Sequence, residues 1–503
     1  MKLLNAAILI LLLQIMVFAQ EKADMVVAQD GSGNYTTIQA AINAVPSDNT
    51  GWITILVKDG IYNEHLFIGN SYIALVGESR ANTRIQFELD RDVWYKAHGS
   101  TNVGSGVITI GVSQTDSVTE VAATNILIGN MTIENTFTNH LKYTHVIRGE
   151  SGCNNVMVVY CDVLCIGKDT HALWNKLTGM YYQSNNRYTG YVDAVCPRGW
   201  SYDVESEFVE LYGASPLWHE GNVTGQKFVV RNAQILPGSN EFDLFNGQGT
   251  SILYLLDSYL SSKVSSQGGS TVYYYNTHKE SGDESWHQDN LSSATGAPSN
   301  NEITAAWTFN NLWDPENQMP SALPFAAIPQ PWNKAVGLSG STTLKWIKGR
   351  NYDTCAVYFG TTSTPPLVRL QTERTYTPAT LSAGTYYWRV DMLSGTDTVK
   401  GTVWSFTVGN TVSVRNNVPS AVALSTSAMV SQNADRTLSI SLPFTESSAT
   451  AVIALYDMRG SRVYSQSVNE HDTRIVLSNL STGMYTLQIR LGAQTMHEKI
   501  LLR

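Results

Sequence analysis

The chain has 503 residues, 43% of them hydrophobic and 15% charged, and a formal net charge of −9. That length suggests roughly three domains and is ample for a full hydrophobic core. With 33 Lys+Arg against 42 Asp+Glu there is no basic surplus to release phosphate counterions, which excludes a broad nucleic-acid footprint and disfavours docking on anionic lipid. Low charge together with 25 Tyr and 12 Trp reads as a β-rich protein with aromatic surface to spare.

Residues 1–19 read as a secretory signal peptide: Lys2 is a positive n-region, Leu3–Phe18 an apolar h-region, and Val17-Phe18-Ala19 a small-residue cleavage site. No later apolar run is long enough to span a bilayer, so a soluble mature protein is expected. Tyr35–Val45 predicts one amphipathic helix, with Thr36 or Thr37 placed to cap it and Ile38, Ala41, Ile42 and Val45 on one face. It would close the N-terminal end of a solenoid.

From about residue 50 to 260 short β-branched and aromatic runs recur, starting near Asn125, Asn154, Lys176, Trp200, Gln226 and Thr250, at intervals of 29, 22, 24, 26 and 24 residues. A strand-dominated repeat of this period predicts a parallel β-helix, each coil adding one rung to each of several parallel sheets. Antiparallel hairpins are the rival, but the two-residue Asn-Gly and Asp-Gly turns they need are scarce. Cys153, Cys161, Cys165, Cys196 and Cys355 are odd in number and lack zinc-site spacing, so buried free thiols are expected.

Leu323–Pro331, with Pro324, Pro329 and Pro331, reads as a linker. Alternating strands then run through Thr343–Trp346, Ala356–Phe359, Tyr386–Val390 and Val403–Phe406, the spacing of a small β-sandwich. The phrases "TYYWRVD" and "GTVWSF" resemble a fibronectin type III module, which implies no chemistry. After a polar stretch, strands are expected at Ala451–Tyr456, Thr473–Leu477, Gly483–Arg490 and Lys499–Leu502. Here "ALYDMRGSRVYS", "LSNLSTGMYTLQI" and the terminal "EKILLR" resemble the C-terminal sorting domain of the type IX secretion system. That resemblance implies passage across the outer membrane by the type IX machinery. The expected organisation is signal peptide 1–19, β-helix 20–322, sandwich 332–409, linker 410–436 and sorting domain 437–503.

Two aspartates draw attention. Asp169 and Asp193 lie 24 residues apart, one full turn of a coil of this period, which would place them on adjacent rungs about 4.8 Å apart. Carboxylates so close rarely ionise together, so one can serve as a protonated acid and the other as an anionic nucleophile or base. On pattern alone, a structural ladder of hydrogen-bonded Asp is equally open.

The surrounding motifs weigh toward chemistry. "VAQDGSGNYTTIQAAINAVP" (Val27–Pro46), "VKDGIYNEHLFI" and "ALVGES" resemble the start of carbohydrate-esterase family 8, the pectin methylesterases. "NMTIENT" (Asn130–Thr136), "KDT" (Lys168–Thr170), "GYVDAVCPRGW" (Gly190–Trp200), "SYLSS" (Ser258–Ser262) and "WTFNNLWDPE" (Trp307–Glu316) come in the family's order. The resemblance spans about residues 25–318. It implies a right-handed parallel β-helix acting as an aspartyl esterase with no metal or other cofactor; with the two β-sandwich modules expected after it, the chain is expected to be all-β. By position, Asp169 matches the family's general acid/base and Asp193 its nucleophile.

Three positions depart from that pattern. The family's oxyanion-hole Gln is Lys168, the Phe after the nucleophile is Ala194, and the Arg of a Leu-Gly-Arg segment is Asn246 in Leu244-Phe245-Asn246. That Arg anchors the nucleophile by a charge-assisted pair, which Asn cannot reproduce. Arg198 is the nearest substitute, as a partner for Asp193 or for a uronate carboxylate. Tyr191, Trp200 and Trp218 are the other candidate substrate contacts, with Trp174 and Tyr273–Tyr275 readable as groove or core. His219 shows no evident Ser or Cys partner, so no hydrolase triad is expected.

The expected function is a secreted pectin methylesterase, a monomer whose partners are homogalacturonan and the type IX secretion machinery, with no nucleic acid. Two other readings compete. One is a β-helix polysaccharide lyase with Lys168 or Arg198 as base and calcium held by Asp169, Asp193 and Asp203. The other is a catalytically impaired β-helix that only binds pectin.

Overall fold

The computed structural model describes residues 23–175, 179–221, 223–236, 240–352, 354–395 and 397–409, and, from 429 to 502, chiefly strands. The side chains of residues 168–175 lie outside that description, as do the expected signal peptide 1–19 and most of the expected 410–436 linker. The chain divides into two units, 1–413 and 414–503.

The first unit opens with a parallel β-helix of three sheets. Each coil contributes successively to a ten-stranded, a nine-stranded and an eight-stranded sheet, as Cys153–Val159, Asp162–Cys165 and Lys168–Asn175 do in one coil. The repeat read from the sequence is the ten-stranded sheet. Its parallel registers join Cys153 to Ala123, Val156 to Tyr181, Met180 to Trp200, Ser201 to Phe228 and Phe228 to Leu253. Branched and aromatic side chains alternate across it, so one set (Val156, Tyr181, Phe228, Leu253) fills the coil interior.

One corner of seven of the ten coils has a local cause. Asn130, Tyr160, Asn185, Glu205, Asn232, Asp257 and Asn276 each come directly after a strand of the ten-stranded sheet, all at φ between 48° and 62°. This left-handed conformation turns the chain into the next sheet in one residue, and Asn and Asp are the side chains that tolerate it best. Tyr160 and Glu205 break the Asn/Asp pattern where other chain segments dock. The Tyr160 hydroxyl accepts from Ile328 N–H at 3.5 Å, and the Glu205 carboxylate accepts from Asn333 N–H at 2.8 Å.

The expected helix forms over Ile38–Asn43, shorter than Tyr35–Val45 because Tyr35 is held in a parallel bridge to Val27. Thr37 occupies the N-cap but its hydroxyl caps nothing. The Glu64 carboxylate does so instead, accepting from Ile38 N–H at 2.8 Å and Gln39 N–H at 2.9 Å. Ile38, Ala41, Ile42 and Val45 are buried against the first coils.

The outer face of the ten-stranded sheet is covered by residues 291–328. Ile303, Phe309, Trp313, Met319 and Leu323 pack on Leu127, Met157, Tyr182, Tyr202 and Val229. A buried ion pair, Arg231 to Asp257 at 2.7 Å, fastens this cover, with Arg231 also donating to Asn300 and Ile303 carbonyls and lying 4.0 Å from the Trp332 ring. Leu323–Pro331 is therefore no free linker. Ala327 and Ile328 are buried, and Ala327–Gln330 is the first strand of the next module. That module is a sandwich of a three-stranded and a six-stranded sheet around Trp346, Trp388, Trp404 and Phe406.

The second unit holds, among its described residues, a three-stranded and a four-stranded antiparallel sheet. Ile453, Leu455, Ile475, Leu487 and Ile489 are buried. The expected strands are present, and Met429–Gln432, Thr437–Ser441 and Arg462–Val468 join them. No helix among the described residues is long and apolar enough to cross a membrane.

Candidate active site

With the ten-stranded sheet covered, the eight-stranded sheet presents polar side chains outward. Asp193 lies in the bend between Arg187–Gly190 of the nine-stranded sheet and Val195–Cys196 of the eight-stranded one. It adopts φ 52°, donates its N–H to the Ser215 carbonyl at 2.9 Å, and is 8% exposed. The next rung thus clips the bend in place.

An open cleft of ≈390 Å³ lies here, lined by Val192, Asp193, Ser215, Glu241, Asp243 and Asn246 among others. Leu244 and Phe245 point into the core, so Asn246 alone of that triplet reaches the cleft. Asn246 therefore lines the same cleft as Asp193, with an uncharged amide.

The rung below is Lys168–Asn175. Its register to the Asp193 coil joins Leu173 to Val195 and Trp174 to Cys196. That offset is 22 residues, whereas Asp169 and Asp193 are 24 apart, so the Asp169 backbone falls two positions short of direct stacking. The side chains of Lys168, Asp169 and Trp174 lie outside the described residues.

Arg198 ion-pairs Glu220 at 3.1 Å and lies 4.5 Å from the centroid of the Trp218 ring. Trp218 is 6% exposed beneath that guanidinium, so it supports Arg198 instead of offering an open ring to a sugar. Tyr191 makes an edge-to-face contact with Tyr212 at 5.0 Å, and Tyr212 stacks on His140 at 5.0 Å. Tyr191 and Tyr212 are the chain neighbours of the cleft-lining Val192 and Gly213. His140 and Tyr212 escape sequence reasoning because nothing local pairs loops 72 residues apart.

The Tyr212 side of the wall is shaped from behind. The buried Glu210 carboxylate accepts from Tyr212 N–H at 3.1 Å and from Gly213 N–H. Burial raises its pKa, against the opposing pull of those N–H donors. Gly213 has φ 94°, and a Cβ there would meet that of Asn240 at 2.6 Å, so the wall requires glycine.

Other predicted residues lie elsewhere. Trp200 packs with the cover on the outer face of the ten-stranded sheet, as do Tyr273 and Tyr275, while Tyr274 is in the coil interior. None of them lines the cleft. Asp203 is fully buried in the ten-stranded sheet, and desolvation raises its pKa to about 7. Asp193 lies beside a different sheet, so the calcium set of Asp169, Asp193 and Asp203 is not supported. No three His, Cys, Asp or Glu among the described residues are placed to share a metal ion.

His219 does have a serine partner, contrary to expectation. Its Nδ1 is 2.7 Å from Ser251 Oγ and its Nε2 2.9 Å from the Gly199 carbonyl. The carbonyl requires Nε2–H, so Nδ1 accepts from the hydroxyl. His219 is fully buried and Ser251 nearly so, and burial lowers the His219 pKa to about 4. This is an interior hydrogen-bonded pair without access to substrate. All five cysteines are buried and free, as expected.

Residues 24–196 match the pectinesterase family model, and residues 434–503 match the secretion system C-terminal sorting domain model. Among curated relatives, probable pectinesterase 55 of Arabidopsis thaliana is 42% identical over 67 residues, 13% of this chain and 20% of the relative. Pectinesterase of Petunia integrifolia is 42% identical over 66 residues, 13% of this chain and 18% of the relative. The chain thus spans about a fifth of the length of these curated relatives. Solved structures include a pectin methylesterase in complex with hexasaccharide VII, at 19% identity and TM-score 0.47, covering 58% of this chain and 98% of that one. Pectin methylesterase PemA from Erwinia chrysanthemi is 18% identical at TM-score 0.46, with the same coverage.

Proposed function

We propose that this chain, which carries a pectinesterase domain followed by a secretion-system C-terminal sorting domain, is an exported esterase that hydrolyses the methyl esters of homogalacturonan. The observation that carries the reading is the cleft beside the eight-stranded sheet. It brings Asp193, at the end of the pectinesterase match, together with Asn246 from a coil outside that match.

In the proposed reaction the Asp193 carboxylate attacks the ester carbonyl carbon and a tetrahedral oxyanion forms. Collapse breaks the C–O bond to the methoxy group. Asp169 supplies the proton that leaves with methanol, and an acyl-enzyme anhydride remains on Asp193. Asp169 then takes a proton from water as the hydroxide oxygen attacks the acyl carbon, which frees the uronate and restores both carboxyl groups. Lys168 is the candidate oxyanion donor. Arg198, held by Glu220 over Trp218, supplies positive charge on the same sheet face. Tyr191 and Tyr212 supply an aromatic wall for the sugar chain. The sorting domain directs export by the type IX machinery, and the sandwich between is a docked spacer.

The test is methanol release from highly methylated pectin by the mature chain with a chelator present, read beside absorbance of unsaturated uronides. Methanol without unsaturated product supports the esterase. Unsaturated product that needs calcium supports the lyase. Pectin binding with neither product supports the impaired binder, the reading that the uncharged Asn246 favours.

A further inference from the structure

The charge pattern of the cleft says more than that an ester is cleaved there. Among its described lining residues three are carboxylates, Asp193, Glu241 and Asp243, and none is basic. Register places two of them in one column. Val195 pairs Leu217, and Leu217 pairs Phe245, so Asp193, Ser215 and Asp243 are successive positions on adjacent rungs. Two rungs separate the Asp243 backbone from that of Asp193, about 9.6 Å at the usual strand spacing. Ser266 Oγ donates to Asp243 Oδ1, which fixes that carboxylate, and both Asp243 and Glu241 are exposed to whatever enters.

Around the cleft, Arg198 is paired with Glu220, Lys263 comes level with Glu241 in the register that pairs Phe242 with Val264, and the buried Glu210 adds a further carboxyl group behind the wall, so among the described residues carboxylates still outnumber bases. Next to Val192 and Gly213 stand two aromatics, Tyr191 against Tyr212, which offer a free uronate no counter-charge. A methyl-esterified uronate is neutral and meets no penalty beside Glu241 and Asp243, whereas a free uronate brings like charge against them.

We infer that Glu241 and Asp243 are specificity-determining residues that admit esterified uronate units and reject free uronate on their side of Asp193. The inference rests on the esterase reading above. Each turnover turns a neutral unit into an anion, so a product shifted toward Asp243 is expelled. The enzyme therefore leaves scattered free carboxylates in place of contiguous blocks.

The experiment compares kcat/KM for methanol release from highly and sparsely esterified pectins of equal chain length, for the wild type and for Glu241→Gln/Asp243→Asn. The wild type is expected to favour the highly esterified pectin beyond the ratio of ester contents, and added salt is expected to weaken that preference. The double variant is expected to narrow the preference about tenfold, equivalent to about 1.4 kcal/mol, and to lose its salt dependence. Glu241→Gln alone should give part of the effect if the double variant fails to fold. An unchanged preference in folded variants overturns the inference and leaves the esterase reading intact. If the wild type releases no methanol from either pectin, the esterase reading fails. Retardation of wild type and variants in gels containing each pectin then decides the charge argument, and equal retardation by both pectins overturns it too.

Discussion

Replacing Asp193 by Asn tests the centre of the proposed mechanism with little structural disturbance. The residue sits at φ 52°, a left-handed conformation that Asn adopts as readily as Asp. The contact that fixes the bend, 2.9 Å to Ser215, is made by the backbone N–H and survives the change. The unfolding midpoint should therefore hold while the nucleophile is lost. Methanol release should fall at least about 10³-fold, or about 4 kcal/mol of transition-state stabilisation. Asp193→Ala is the control on the conformational argument. It should lose the same rate and also about 1 kcal/mol of stability, because a left-handed Ala is strained. Initial rates from an alcohol oxidase-coupled assay and unfolding followed by near-ultraviolet circular dichroism read the two quantities separately. A folded Asn variant that keeps more than about a tenth of the wild-type rate refutes Asp193 as nucleophile. An Asn variant as destabilised as the Ala variant refutes the account of the bend.

Other sites give further outcomes. Asn246→Arg should raise kcat/KM on methylated pectin about tenfold, since it returns a guanidinium to the cleft that holds Asp193; an unchanged rate would mean that the charge is supplied elsewhere. Tyr212→Ala should raise KM several-fold with kcat little changed, because Tyr212 adjoins the cleft-lining Gly213 without touching the reacting atoms. Glu64→Ala removes the carboxylate that caps Ile38–Asn43 and should cost about 1–2 kcal/mol in thermal unfolding, whereas Thr37→Ala should cost almost nothing. Asp203 has a folded pKa of about 7, above its unfolded value, so the native state holds the proton more tightly. Its contribution is intact below about pH 4, and stability falls as pH rises toward 7, by on the order of 4 kcal/mol. Asp203→Asn should flatten that slope between about pH 4 and 7, and an unchanged slope would assign it to other groups.

Much of the architecture is legible from local signals. The recurrent branched and aromatic runs mark one face of one sheet, and an alternating strand has few other ways to bury them. The five thiols read as buried because their spacing suits neither metal nor a disulfide set. Asp193 stands out because chemistry needs a carboxylate in a motif of that kind. The Asn246 departure is equally visible, since a missing charge needs no coordinates to be noticed.

Where reasoning from the chain alone failed, the deciding contacts were long-range. Thr37 looks like a cap, but the donors of Ile38 and Gln39 are met by Glu64, more than twenty residues away. The proline-rich stretch at 323–331 looks like a linker, yet Tyr160 holds Phe325 and Ile328 within it, and Glu205 and Arg231 hold Asn333 and Trp332 just after it, so it is packed structure. His219 seemed to lack a serine because Ser251 arrives from the next coil. Trp200 and Trp218 look alike as aromatic candidates; one is spent on the cover and the other on supporting Arg198. The 24-residue spacing of the two aspartates suggested direct stacking, but individual coils differ in length and the local register is 22. Local alternation and composition are thus enough for the periodicity, the parallel β-helix and the residue types available for chemistry. Which carboxylates share the cleft and which are walled in is a tertiary matter, because coil lengths and cover segments set that register across distances no local pattern encodes.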